Sequence, residues 1–322
     1  MNRKNLMTRR FAIVFAVVTI GSILIAAAVF LGIFVFKILP MDSKEDPANL
    51  AGNVSALEGV YSDTVKKSRD DLYTGNLILV NNDTEYRLND ESHLGNVFDL
   101  RNSSYKAQDK NVRLDKNVIT HLNEMMDAFV QATGKTDVMI CSGYRNRELQ
   151  EKLYQDDLAK TGNTTSLFVT KPGFSEHHTG LSFDLGLYPE NGFSREYDGT
   201  GEYRWISQNC YQYGFVVRYE SDKIDITKIG NEPWHIRYVG VPHAYVMKKQ
   251  DLCLEEYMDY LKDFPYDGKH LMVTDDKNQK YEIYYVAAPA GEKIISVPVP
   301  ETGNYEISGN NTDGFIVTVS LS

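Results

Sequence analysis

Ser175-Glu176-His177-His178-Thr179-Gly180-Leu181-Ser182-Phe183-Asp184 is one of two short stretches that gather the chemistry-bearing side chains of this sequence. From Leu181 to Leu187 the residues alternate, with Leu181, Phe183, Leu185 and Leu187 on one side and Ser182, Asp184 and Gly186 on the other. That period of two predicts a half-buried strand whose apolar face packs on a core, while Asp184 looks into a space lined by small groups. The second stretch is Glu232-Pro233-Trp234-His235-Ile236-Arg237-Tyr238. In a regular strand Glu232 and His235 would face opposite ways, and Pro233 supplies the bend that lets both reach one site. Trp234 is expected to pack beneath that site. Together the stretches offer imidazoles and a carboxylate for a small divalent-metal site, with one glutamate left over to take a proton. Two neutral imidazoles and one carboxylate leave tetrahedral Zn²⁺ an open fourth position for water, which points to hydrolysis.

Outward from these stretches, helices and strands alternate. Leu77-Ile78-Leu79-Val80, followed by Asn81-Asn82-Asp83, reads as a strand and turn that open the globular body. Asp115 is a good N-cap ahead of Val118, Leu122, Met125, Met126 and Phe129, which recur at helical steps until Gly134. Val138-Met139-Ile140 predicts a short strand running into Cys141-Ser142-Gly143-Tyr144-Arg145. Arg147 to Thr161 then carries Leu149, Leu153, Tyr154 and Leu158 at helical spacing, closed by Gly162. Arg145 sits at this strand-to-helix junction, where its fork suits a carboxylate; the plainer reading is a surface salt bridge. A further helix is predicted over Tyr203–Tyr213, ended by Gly214 and followed by the strand Phe215-Val216-Val217.

The ends differ from the middle. Phe11 to Phe36 is a run of 26 residues without a charge, long enough to cross a hydrocarbon core of roughly 30 Å. It exceeds the 7–15 residues or so of a cleaved signal's apolar region, so a retained anchor is expected. Arg3, Lys4, Arg9 and Arg10 precede it, which keeps that side cytoplasmic and puts the remainder outside. Residues 37–70, rich in Ser, Asp, Asn and Lys, read as a stalk. The net charge of -10 becomes -15 beyond residue 37, an acidic body that argues against nucleic acid as a partner. Cys141, Cys210 and Cys253 allow at most one internal disulfide, with buried free thiols the plainer reading. After Phe264, five short strand signals alternate with turn sequences such as Asp267-Gly268 and Asn310-Asn311, predicting a small antiparallel β module.

Ser-Gly-Tyr-Arg with Gln150 five residues after the arginine, Pro-Gly-x-Ser-Glu-His-x-x-Gly-Leu-x-x-Asp, and Glu-Pro-Trp-His-x-Arg-Tyr resemble the motifs of the VanY-type D-alanyl-D-alanine carboxypeptidases, zinc peptidases of the wider lysostaphin and hedgehog group. The resemblance covers about residues 71–264. It implies zinc ligands His177, Asp184 and His235, Glu232 as general base, and Arg145, Gln150 and Ser175 against the substrate's terminal carboxylate region. Ser182 stands where the family usually has Ala, a small change on the metal-facing side. His178, six residues before Asp184, is the alternative ligand register. The expected fold class is α+β, a zinc-peptidase domain over 71–264 with an antiparallel sheet and flanking helices. It follows a cytoplasmic tail (1–10), one transmembrane helix (11–36) and the extracellular stalk (37–70), and precedes a small β-rich module (265–322). The implied activity is removal of the terminal D-Ala from peptidoglycan stem pentapeptides or their precursors, by an enzyme held on a bacterial cell membrane. An L,D-carboxypeptidase acting on tetrapeptides is the alternative within the family. The alternative from another class is a non-catalytic wall-binding or sensory protein, which would have no chemical need for all four of His177, Asp184, Glu232 and His235.

Overall fold

The computed structural model describes residues 61–189 and 192–321. The expected tail, membrane span and the stalk up to residue 60 lie outside these. Among the described residues no helix is long and apolar enough to cross a membrane.

Helix α1 spans Lys116–Thr133, opened by the Asp115 side chain accepting from the Asn117 N–H and closed by left-handed Gly134 (φ 70°). Val118, Ile119, Leu122, Met125, Met126 and Phe129 are its buried face, so the methionine pair is core filling. That face packs on a sheet of six strands: β3 (Lys106–Ala107), β5 (Val138–Ser142), β6 (Ser182–Leu187), β7 (Arg195–Glu196), β8 (Phe215–Val217) and β9 (His235–Tyr238). Its order is β3-β5-β6-β9-β8, with β7 paired to β6; β3 and β5 run parallel and the other pairs are antiparallel. Phe183 and Leu185 of β6, with Phe215 and Ile236, complete the core beneath α1. A separate two-stranded ribbon joins β2 (Leu94–Asn96) to β4 (Arg113–Asp115). The fold is mixed α+β, as the sequence predicts.

Several local expectations need correction. Helix α2 (Arg147–Thr161) has the expected ends, with Asn146 capping Leu149 and Gly162 closing, but buries only Gln150. Leu149 is exposed, so its apolar spacing borders a cleft and not the core. Tyr203–Tyr213 is a run of short turns around helix α3 (Arg204–Asn209), because Tyr203 and Asn209 carry no side-chain cap and the geometry tightens to 3-10 on both sides. Leu77-Val80 is not a strand. Leu77, Ile78 and Val80 are buried, but the main chain is satisfied outside any strand ladder: Ser308 Oγ accepts from the Leu77 N–H (2.9 Å), Asn311 donates to the Leu79 carbonyl (2.7 Å), and the Leu79 N–H donates to the Asn310 carbonyl (3.3 Å).

All five C-terminal strand signals are strands: β10 (Leu271–Thr274), β11 (Lys280–Ala287), β12 (Ile294–Val299), β13 (Asn304–Gly309) and β14 (Gly314–Leu321). Four form a sheet in the order β10-β11-β14-β13. The fifth, β12, pairs with β1 (Asp63–Ser68), a segment expected in the stalk. Its polar sequence suits a two-stranded ribbon with one face half-buried. Tyr61 locks the entry to this ribbon: its main-chain N–H donates to the Tyr266 hydroxyl (2.7 Å), its own hydroxyl donates to Glu282, and Glu282 pairs with His270. Helices α4 (Val241–Gln250) and α5 (Leu254–Leu261) lie between the two sheets and share a core with Leu271, Ile283 and Ile316.

Candidate metal centre

Strand pairing brings the two motif stretches together. Asp184 and His235 are direct partners across β6 and β9, and Ser142 pairs with Asp184 from the other side, next to a register shift in β5. His177 arrives on a single 3-10 turn, Glu176–Thr179, whose N-cap Ser175 accepts from the His177 N–H (3.3 Å) and whose exit is left-handed Gly180 (φ 71°). His177 Nε2 lies 3.3 Å from Asp184 Oδ2, and His235 Nδ1 lies 3.1 Å from Asp184 Oδ1. One donor atom from each of the three falls within 4.8 Å of the others. The bend at Pro233 is a turn in which the His235 N–H donates to the Glu232 carbonyl (3.1 Å). It brings the Glu232 carboxylate to 3.8 Å from His235 Nδ1. Trp234 packs partly on the core and partly borders the cleft.

Hydrogen bonds behind the donors decide which ring atoms face the site. His177 Nδ1–H donates to the Gly143 carbonyl (2.7 Å), leaving Nε2 free to ligate. His235 Nε2–H donates to Glu176 (3.2 Å), leaving Nδ1 on the Asp184 side. Burial holds the His177 pKa down to about 4, with the Arg145 charge adding to it, so this imidazole is neutral and ready to ligate. For His235, burial works downward but is outweighed by hydrogen bonds to Asp184 and Glu176, and the pKa rises to about 9. Burial also pulls Asp184 upward, yet His177 and Arg145 hold its carboxyl well below the usual range. Glu232 is pushed up to about 8, chiefly by burial; His235 opposes this and the Asp184 charge adds to it.

The remaining expected residues line one cleft of about 350 Å³ with the three donors and Glu232. Arg145 donates to Ser142 Oγ (2.8 Å) and its guanidinium lies against Asp184. Gln150 donates to the Thr170 carbonyl (2.8 Å), while its Oε1 is buried without a partner. His178 does not join the site. Its Nδ1–H donates to the Arg145 carbonyl (2.7 Å) and its Nε2 accepts from the Gly173 N–H (2.9 Å), so both ring nitrogens are used in bracing the neighbouring loops. His178→Ala is therefore expected to keep full metal content by elemental analysis while lowering stability by about 1–3 kcal/mol through the orphaned Gly173 and Arg145 groups.

Sequence reading missed Glu176, Arg218, Arg237 and Tyr219. The Glu176 side chain is fully buried between Arg218 Nε (2.8 Å) and Arg237 Nη1 (2.9 Å). Burial opposes its ionisation, but the two arginines outweigh it and hold the carboxyl below its usual range. The Tyr219 ring lies tilted against the His235 ring, 5.3 Å between centroids. The available signal was a glutamate beside the key histidine and an arginine two residues after His235, on the same strand face.

The chain is similar to several known proteins. The model of the VanY D-alanyl-D-alanine carboxypeptidase family matches residues 111–241. A D-alanyl-D-alanine carboxypeptidase of Enterococcus faecium is 35% identical over 280 residues, covering 85% of this chain and 84% of that protein. A bifunctional D-Ala-D-Ala dipeptidase and carboxypeptidase, VanXYC of Enterococcus gallinarum, is 39% identical over 140 residues, 42% of this chain and 74% of that one. Among solved structures, the vancomycin resistance D,D-dipeptidase VanXYg, in complex with a D-Ala-D-Ala phosphinate analogue, superposes with a TM-score of 0.71 at 32% identity, over 80% of this chain and 99% of that chain. With its His-Asp-His grouping in place and 35% of the aligned residues shared with the E. faecium enzyme along most of both chains, this chain belongs to the VanY family of D-alanyl-D-alanine carboxypeptidases, and is a metallopeptidase.

Proposed function

We propose that this chain is a zinc-dependent carboxypeptidase that removes the C-terminal D-alanine of peptidoglycan stem pentapeptides, outside a bacterial cell and tethered to its membrane by residues 11–36. The observation that carries the catalytic part is the convergence of His177, Asp184 and His235 donors within 4.8 Å, with Glu232 beside them. The donor set fits zinc. His177 has committed Nδ1 to Gly143 and His235 has committed Nε2 to Glu176, so two imidazole nitrogens and one anionic oxygen remain. The uncharged run 11–36 and the basic residues before it support the tether. The D-Ala-D-Ala analogue held by the solved VanXYg structure supports the substrate terminus.

Zinc held there supplies Lewis acidity, which acidifies a water and polarises the scissile carbonyl. Glu232 takes the water's proton as its oxygen attacks the carbonyl carbon, and delivers a proton to the nitrogen as the C–N bond breaks. The planar guanidinium fork of Arg145 holds the free terminal carboxylate and so favours release of the last residue over cutting within a chain. Gln150 offers its unpartnered Oε1 to a substrate N–H on the same cleft wall, and Ser175 lines the same cleft.

Mass spectrometry of muropeptide pentapeptide and tetrapeptide incubated with the zinc-loaded chain tests this reading. Loss of one Ala from the pentapeptide alone is expected. Loss from the tetrapeptide would reassign the enzyme to L,D cleavage, and no loss from either with zinc bound would overturn the carboxypeptidase reading. Arg145→Ala is expected to lower kcat/KM on the free-acid peptide about 10²–10³-fold. Because Arg145 also touches Asp184, the decisive readout is the acid-to-amide rate ratio, which should collapse in the variant when a C-terminally amidated peptide is compared.

A further inference from the structure

Behind His235 lies a chain of contacts that ends at the C-terminal strands. His235 and Arg237 are two residues apart on β9 and so project from the same face; both meet Glu176, the imidazole at Oε2 (3.2 Å) and the guanidinium at Oε1 (2.9 Å). Arg237 is fully buried. Its Nη2 donates to the main-chain carbonyls of Asn76 (3.0 Å) and Ile78 (2.9 Å). That segment has no strand partner and is held from the other side by the C-terminal strands. Ser308 of β13 accepts from the Leu77 N–H (2.9 Å), and Asn311, in the turn between β13 and β14, donates to the carbonyls of Leu79 (2.7 Å) and Glu85 (3.0 Å).

We propose that Glu176 and Arg237 are positioning residues for His235, and that the C-terminal strands help to set the metal centre by fixing the main chain of residues 76–79 on which Arg237 rests. This rests on the zinc reading above. A ligating histidine gains its orientation from the acceptor behind its other nitrogen. Here that acceptor is itself held by a guanidinium whose Nη2 is committed to the Asn76 and Ile78 carbonyls and whose Nε donates to the Tyr238 carbonyl (3.0 Å). Glu176 and Arg237 at the centre of that path are buried, so a displacement of the segment passes to Glu176 and from there to the imidazole. The C-terminal module is on this account part of the catalytic scaffold as well as a neighbour packed against it.

The test measures zinc affinity of the full chain by competition with a chromophoric chelator, the visible spectrum of the Co²⁺-substituted protein, and Tm on the same samples. Glu176→Gln keeps the side-chain volume but can accept on one side only, so it must fail either His235 or the arginines. It is expected to weaken zinc about 10–100-fold and to shift the Co²⁺ bands. Ser308→Ala removes the clamp without touching the site and is expected to weaken zinc about 2- to 10-fold in the same direction. Tyr61→Phe, which loosens the C-terminal module away from residues 76–79, is expected to lower Tm with both metal readouts unmoved. Zinc affinity and Co²⁺ bands unchanged in Glu176→Gln would overturn the positioning role. A destabilised Ser308→Ala protein that binds zinc like the wild type would overturn the part given to the C-terminal strands. A wild-type chain that holds no zinc would instead sink the metal reading itself, and this inference with it.

Discussion

Glu232→Gln is expected to lower kcat for D-Ala release by about 10²–10⁴-fold while the protein keeps its zinc. Glutamine preserves the volume in the wall of the cleft but cannot accept the water's proton. Because Glu232 is not among the three converging donors, metal content by elemental analysis should stay at one per chain. The pH profile separates this from a mere loss of shape. Burial raises the Glu232 carboxyl, and a cation bound nearby draws it down again. Whatever value results, the base is present above that pKa and lost as pH falls through it. The wild-type profile should therefore carry an acid limb that the Gln variant lacks. A Glu232→Gln protein that has lost its zinc would contradict the assignment.

His235→Ala carries the second large effect. The imidazole supplies one of the three donors that converge among the described residues and is also the partner of two carboxylates, half-buried Asp184 and fully buried Glu176. Its removal is expected to drop bound zinc from one per chain to near zero after dialysis, and activity to background. Leaving buried charges short of a partner should also destabilise the fold by about 3–5 kcal/mol, visible as a lower Tm. Stoichiometric zinc in this variant would remove His235 from the ligand set.

What could be read in the sequence was what depends on neighbours along the chain. Asp115 and Gly134 bracket α1 by local capping chemistry, and the five C-terminal strands announce themselves by alternation between turns. The site was legible in part, because His177, Asp184, Glu232 and His235 sit in two compact motifs. The direct pairing of Asp184 with His235 was not, since register between distant strands is settled by the whole sheet. Glu176 escaped because its role depends on two arginines that reach it from β9 and from the chain after β8. Leu77-Val80 misled for a related reason. Its apolar side chains are buried as a strand's would be, yet Arg237, Ser308 and Asn311 take the main-chain groups that another strand would otherwise pair. Strand β1 was missed because only half of one face is covered, and Asp63-Thr64-Val65-Lys66-Lys67-Ser68 has too few apolar residues to alternate.

The lock at Tyr61 has a mechanical meaning. Among the described residues, tension applied at Tyr61 meets its contacts with Tyr266 and Glu282, and next the six residue pairs that join β1 to β12. These belong to a ribbon separate from the sheet that carries Asp184 and His235. A pull at that point would thus load the ribbon before it reached the ligand strands.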